Sequence, residues 1–184
     1  MNEKKKVSLP NQSKKRLFAA LMQLMSEKEY HTITISELSD KAQVDRRTFY
    51  RHFKSKEEVL DLIIVEAFQK HVANLRKLPQ RENYDVCKAY FELLSHYVNF
   101  LLLLEKHNLL SIVQRRVAEY LPLLDQMFSE KPDCDHCSEH RRWQLTYKAG
   151  GVWGVTEKWI QDGAKESPEE MAHLLSAINY PIDD

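Results

Sequence analysis

The 184-residue sequence predicts an all-α protein, and three observations carry that reading. Apolar residues recur at three- and four-residue intervals along most of the chain, the period of a helix with one buried face. The only glycines, Gly150, Gly151, Gly154 and Gly163, lie in one short stretch, so the tight turns that join strands lack the residues to make them. The six prolines fall near apparent helix boundaries, where a missing amide is tolerated. A tenth of the residues are aromatic, enough to fill a core, and the length suits one domain or two small ones on a helical scaffold.

Taken in order, residues 1–12 are polar, include Lys4, Lys5 and Lys6, and are expected to form a flexible basic arm. From Ser13, the residues Leu17, Ala20, Leu21, Leu24 and Met25 form the inner face of a first helix ending near Glu27. Thr34 and Glu37 have the spacing of a capping box for a short second helix whose inner face is Leu38 and Ala42. Gln43 and Val44 make a turn, and Asp45 caps a third helix on which Phe49 and Phe53, four apart, face the core. Ser55 and Glu58 repeat the capping-box spacing and open a long fourth helix, to about Arg76. After a polar break at 79–83, helical spacing resumes over 84–106, 109–128 and 138–161. Ser167, followed by Pro168 and the acidic Glu169 and Glu170, begins the last of roughly eight helices.

The zero net charge conceals an asymmetry. Residues 1–56 hold 13 Lys and Arg against 6 Asp and Glu, and the remainder holds 14 against 21. A basic head on an acidic body is the footprint of a protein that meets a polyanion at one end. The chemistry of the third helix agrees: with Phe49 and Phe53 inward, Arg47, Tyr50, Arg51 and Lys54 face outward, where guanidinium groups reach guanine edges or phosphates. Two short helices joined by a tight turn, the second entering the major groove, form a helix-turn-helix.

The run Ile33-Thr34-Ile35-Ser36-Glu37-Leu38-Ser39-Asp40-Lys41-Ala42, followed by Val44-Asp45-Arg46-Arg47-Thr48-Phe49-Tyr50-Arg51-His52-Phe53-Lys54-Ser55-Lys56, resembles the TetR/AcrR family of transcription regulators. The resemblance implies that Thr34 and Lys56 bind phosphates at two helix starts, that Arg46, Arg47 and Tyr50 face the bases, and that Thr48, Arg51 and His52 hold the DNA backbone. It implies a DNA-binding domain over 13–56 and a ligand-binding and dimerisation domain over 57–184. One departure stands at Gln43, where the family usually has glycine; a left-handed backbone there costs roughly 1 kcal/mol.

Symmetric operators are read by symmetric dimers, so a self-association surface is expected away from the head. Gly150 and Gly154, four apart, share one helix face and let another helix approach closely, whether from a second copy or from the same chain. With Gly151, Trp159 and Met171 they lie in a stretch that resembles the dimerisation helices of one TetR/AcrR subgroup. The resemblance also implies an effector pocket among the middle helices. Phe68, Tyr90, Tyr97, Tyr120, Phe128, Trp143 and Tyr147 could surround a cavity for a small apolar or aromatic effector, or could simply be core.

No cofactor or metal is expected. Cys134, Cys137 and His140 are the candidates for a metal or redox site, one C-x-x-C being a weak signal on its own. No phosphate loop, H-E-x-x-H or nucleophile motif points to an enzyme. No apolar run is long enough to span a bilayer and no signal-peptide core stands at the start, so a cytoplasmic protein without membrane contact is expected. The function that follows is a dimeric repressor of a palindromic operator, with two alternatives: an activator working with a protein co-regulator, or a regulator that senses metal or redox state through Cys134 and Cys137.

Overall fold

In the computed structural model, which describes residues 11–77, 82–128 and 135–178, every regular element is helical among the described residues. The nine α-helices are α1 (Asn11–Glu27), α2 (Ile35–Ala42), α3 (Arg46–His52), α4 (Lys56–Leu75), α5 (Asn83–His96), α6 (Val98–Lys106), α7 (Leu110–Phe128), α8 (Asp135–Gln161) and α9 (Pro168–Ile178). A 3-10 turn at Tyr30–Thr32 links α1 to α2. None of the described helices is long and apolar enough to cross a membrane. The described residues up to Ile63 form one compact unit and those from Ile64 a second, so the first two turns of α4 belong to the first unit.

Capping chemistry sets the boundaries in the first unit. The Thr34 hydroxyl accepts the Glu37 amide at 3.2 Å, and the Glu37 carboxylate accepts the Thr34 amide at 2.9 Å, a complete capping box. Gln43 ends α2 in the left-handed region, φ 52° and ψ 44°, with its amide on the Asp40 carbonyl and that of Val44 on the Ser39 carbonyl. Asp45 then caps α3, its carboxylate accepting the amides of Arg47 at 2.8 Å and Thr48 at 3.3 Å. Leu17, Leu21 and Met25 of α1, Leu38 of α2, Phe49 of α3 and Leu60 of α4 are fully buried and form the core. Phe49 and Phe53 meet with ring centroids 5.5 Å apart.

In the second unit α5 packs along α9, and α8 packs against α6 and α7. The core includes Phe91 and Leu94 of α5, Leu104 of α6, Val113 and Val117 of α7, and Trp159 and Ile160 of α8. The Phe91 and Trp159 rings meet edge to face at 5.5 Å. Gly163, at φ 89°, terminates α8; its amide returns to the Ile160 carbonyl, and the Ala164 amide returns to that of Trp159. Ser167 and Glu170 then form a reciprocal capping box for α9, with bonds of 2.8 and 3.2 Å.

Several expectations are corrected. The helix α1 starts at Asn11, so Asn11 and Gln12 are its first turn instead of the end of an arm. The stretch 84–106 is two helices, because Tyr97 leaves helical geometry at φ −107° and ψ 17°. Pro122 lies inside α7, where buried Val117, Tyr120 and Leu124 on either side hold the helix despite the missing amide. At the start of α4 only half of the expected box forms: Ser55 accepts the Glu58 amide at 3.4 Å, but the Glu58 carboxylate reaches the Lys54 amide.

Candidate nucleic-acid interface

The short helix α3 has one inner residue and a nearly continuous polar exterior. Phe49 is fully buried, which sets the rotational phase of the helix, and the 3.6-residue period turns Arg46, Arg47, Tyr50 and Arg51 to solvent. Tyr50 is 54% exposed, and its ring stands edge to face on Phe49 at 5.7 Å, so a core residue orients an exposed one. Thr48 and His52 are half-buried on the flanks, and Lys54 is exposed just beyond the helix end. The Arg51 Nε–H donates to His52 Nε2 at 3.3 Å.

The electrostatics of this face are lopsided. Between Val44 and Lys54 the sole acid is Asp45, and its carboxylate is turned onto two backbone amides. The other charges of the unit pair with one another across α1 and α2. Lys41 meets Glu27 at 2.9 Å, and Lys28 meets Glu37 at 2.5 Å. The Lys28 ammonium, together with the Thr34 amide and hydroxyl, holds the Glu37 carboxyl down to about 2. The cations of α3 are thus left facing solvent with no neutralising carboxylate, the arrangement that attracts a polyanion.

The other two expected phosphate contacts differ from each other. Thr34 is exposed at the start of α2, with its hydroxyl donated to Glu37 at 2.8 Å. Lys56 is corrected: its ammonium bridges the carbonyls of Tyr30 and Ile33, the latter at 2.8 Å, and sits 4.2 Å from the Tyr30 ring centroid. The 3-10 turn offers those carbonyls to the first turn of α4, and the half-buried ammonium fills the place. Burial lowers its pKa.

The residues expected at a dimer surface divide in two. Gly150, Gly151 and Gly154 are exposed, and a methyl group built on any of them would meet nothing within 4 Å, which removes the alternative of a close intrachain contact among the described residues. They continue a stripe on α8 with Trp143 and Tyr147, which are 61% and 79% exposed. Trp159 and Met171 are corrected: at 3% and 5% exposure they are core, and the Trp159 indole N–H donates to the Glu166 carbonyl at 3.2 Å. Exposure of Trp143 and Tyr147 also removes them from the expected aromatic pocket, while Phe68, Tyr90 and Tyr120 pack as ordinary core.

Cys134 lies outside the described residues, Cys137 is described only as backbone of α8, and His140 is exposed on that helix. No group of three or more His, Cys, Asp or Glu suited to a metal occurs among the described residues. Sequence reasoning passed over a cleft in the second unit, about 370 Å³, between His71 and its neighbours on α4 and Glu92 and His96 on α5. A buried histidine in a helical run carries no signal of its own.

Comparison with known proteins places this geometry. Residues 17–63 match bacterial regulatory proteins of the tetR family, and residues 81–180 match a transcriptional regulator C-terminal region. The Transposon Tn10 TetC protein of Escherichia coli is 27% identical over 145 residues, which is 76% of this chain and 61% of TetC. The aligned chain thus spans about three fifths of the length of that relative. Among solved structures, the fatty acid degradation regulator FadR from Bacillus halodurans superposes with a TM-score of 0.64 at 17% identity, over 93% of this chain and 96% of that one. FadR from Bacillus subtilis, in complex with stearoyl-CoA, superposes with a TM-score of 0.52 at 16% identity, over 89% and 96%. With both halves of the chain matched and an all-helical architecture around a helix-turn-helix, the protein belongs to the TetR family of DNA-binding transcription regulators.

Proposed function

We propose that the protein is a repressor that binds a palindromic operator as a homodimer and releases it when an effector occupies the second unit. One observation carries the reading: α3 is locked by Phe49 with Arg46, Arg47, Tyr50 and Arg51 outward and uncompensated. In this proposal Arg46, Arg47 and Tyr50 read base edges, and Thr34, Thr48, Arg51 and His52 hold phosphates that set register. Residues 13–56 then carry DNA binding, and 57–184 carry dimerisation and effector response.

The dimer reading is supported by the exposed stripe Trp143, Tyr147, Gly150, Gly151 and Gly154, joined on α9 by the exposed Leu174 and Ile178. Aromatic groups beside glycines suit close helix–helix packing of two copies. An effector is supported by the cleft in the second unit and by the stearoyl-CoA held by the Bacillus subtilis FadR. Effector binding would bias the helices that carry the heads and alter the spacing between them.

The test is selection of bound duplexes from fragmented genomic DNA by the purified protein, followed by salt titration of the best duplex. A short palindrome bound by two copies, with affinity falling steeply as salt rises, is expected, and Arg47→Ala with Tyr50→Ala should abolish the preference. Enrichment no better than random DNA would overturn the reading. A reporter behind the selected site gives the sign: expression that drops on deletion of the regulator would make it an activator.

A further inference from the structure

We infer that the cleft between α4 and α5 is a binding site for a compact amphoteric ligand, one carrying an anionic and a cationic group at opposite ends of a short apolar body. The inference rests on the effector reading above and names the ligand class for it. The α4 wall supplies Lys70 and Asn74, and the α5 wall supplies Glu92 and His96. Leu75 and Leu93 line it between them.

Three features point to this chemistry. First, Lys70 and Glu92 face one cavity with opposite charge and yet form no ion pair with each other; the cation near Glu92 is Lys88, at 4.0 Å, which lies closer to Glu169 at 3.0 Å. Two opposite charges held apart across a cleft are complementary to a ligand that carries both signs in reverse. Second, the cleft is bordered by a polar side chain that lacks a partner. His71 is 3% exposed, and its Nε2 has no hydrogen bond among the described residues. A buried ring nitrogen left open is a cost that a ligand donor removes. Burial also pushes the His71 pKa down to about 4, so the ring is neutral and one nitrogen accepts. Third, the size is limiting. A cavity of about 370 Å³ holds roughly a dozen water-sized groups at about 30 Å³ each, far less than a long acyl chain with its carrier. The apolar or aromatic effector expected from the aromatic residues does not suit a rim of Lys70, Asn74, Glu92 and His96.

The probe is 5-aminopentanoate, compared with pentanoate and 1-aminopentane, which each keep one charge, and with decanoate as an apolar-tailed anion. Binding to the full chain is measured by calorimetry, and by NMR of the imidazole resonances of His71 and His96. The expected result is saturable binding of 5-aminopentanoate with a Kd on the order of 1 mM, at least tenfold weaker for either single-charge analogue, with both imidazoles shifted. Lys70→Gln and Glu92→Gln change exposed groups outside the core and should each erase that preference. Equal binding of the zwitterion and its analogues, or none of it, overturns the ligand class. Decanoate binding that releases operator while 5-aminopentanoate does not bind overturns the class and leaves the effector reading intact. Selective binding of the zwitterion with no change in operator affinity supports the site and overturns its effector role.

Discussion

The Asp45 carboxylate accepts the backbone amide of Arg47 at 2.8 Å. The residue that starts α3 thereby holds the main chain of an arginine that α3 presents to solvent. Because α3 is only seven residues long, its first turn is a large part of the helix, and the cap and the buried Phe49 together decide which side chains face outward.

Removing that cap should therefore act on both stability and operator binding. Asp45→Ala is expected to lose about 1 kcal/mol in urea unfolding, while Asp45→Asn keeps most of it. Operator affinity should fall for Asp45→Ala although the side chain lost is an anion, which a purely electrostatic account would have raise affinity. Stability equal to that of the parent protein would mean the cap is not holding α3.

Lys56 separates a bracket within the head from a phosphate contact. Lys56→Met removes the donor to the Tyr30 and Ile33 carbonyls and should cost about 1–2 kcal/mol. The slope of log affinity against log salt should stay as it is. A slope shallower by about 0.9 would show that the ammonium leaves the carbonyls for a phosphate on DNA.

Gly154 is the sharpest probe of self-association. Nothing lies within 4 Å of a side chain placed there, so Gly154→Leu should leave the stability of the single chain within about 0.5 kcal/mol. Sedimentation should show that the variant is monomeric and that operator affinity is reduced. A dimer of unchanged strength would move the interface away from this face of α8.

His71 links stability to pH. Its pKa falls from 6.5 to about 4 in the folded protein because burial disfavours the charged ring. The unfolded chain therefore binds the extra proton between those two values, so stability is retained above about pH 6.5 and lost as pH falls toward 4. At pH 5 the loss should be about 2 kcal/mol relative to pH 7. His71→Leu should remove that part of the pH dependence in urea unfolding, and a variant with an undiminished slope would assign it to other groups.

Local chemistry was legible from the residue order. Thr34 with Glu37, Asp45 before Arg47, the left-handed Gln43 and the inward pair Phe49 and Phe53 each depend on neighbours within a few positions. A side-chain cap or a helical phase is decided inside one or two turns, so the helix-turn-helix and the basic face of α3 follow without knowledge of the rest. The end of α5 at Tyr97 was not legible, because apolar spacing runs on through 98–106 and no glycine or proline marks the break.

What the sequence by itself determined is the helical class, the caps and the exposed cations of α3. What only the tertiary structure decided is which groups are taken by partners far along the chain. Lys56 is drawn to carbonyls 23 and 26 residues away, Trp159 and Met171 are covered by packed helices, and Gly150 and Gly154 are left open. The cleft with His71, Lys70 and Glu92 exists only where α4 and α5 lie side by side. The physical reason is common to all of these: periodicity tells which face of a helix is apolar, but burial and the pairing of charges depend on what the fold brings against that face.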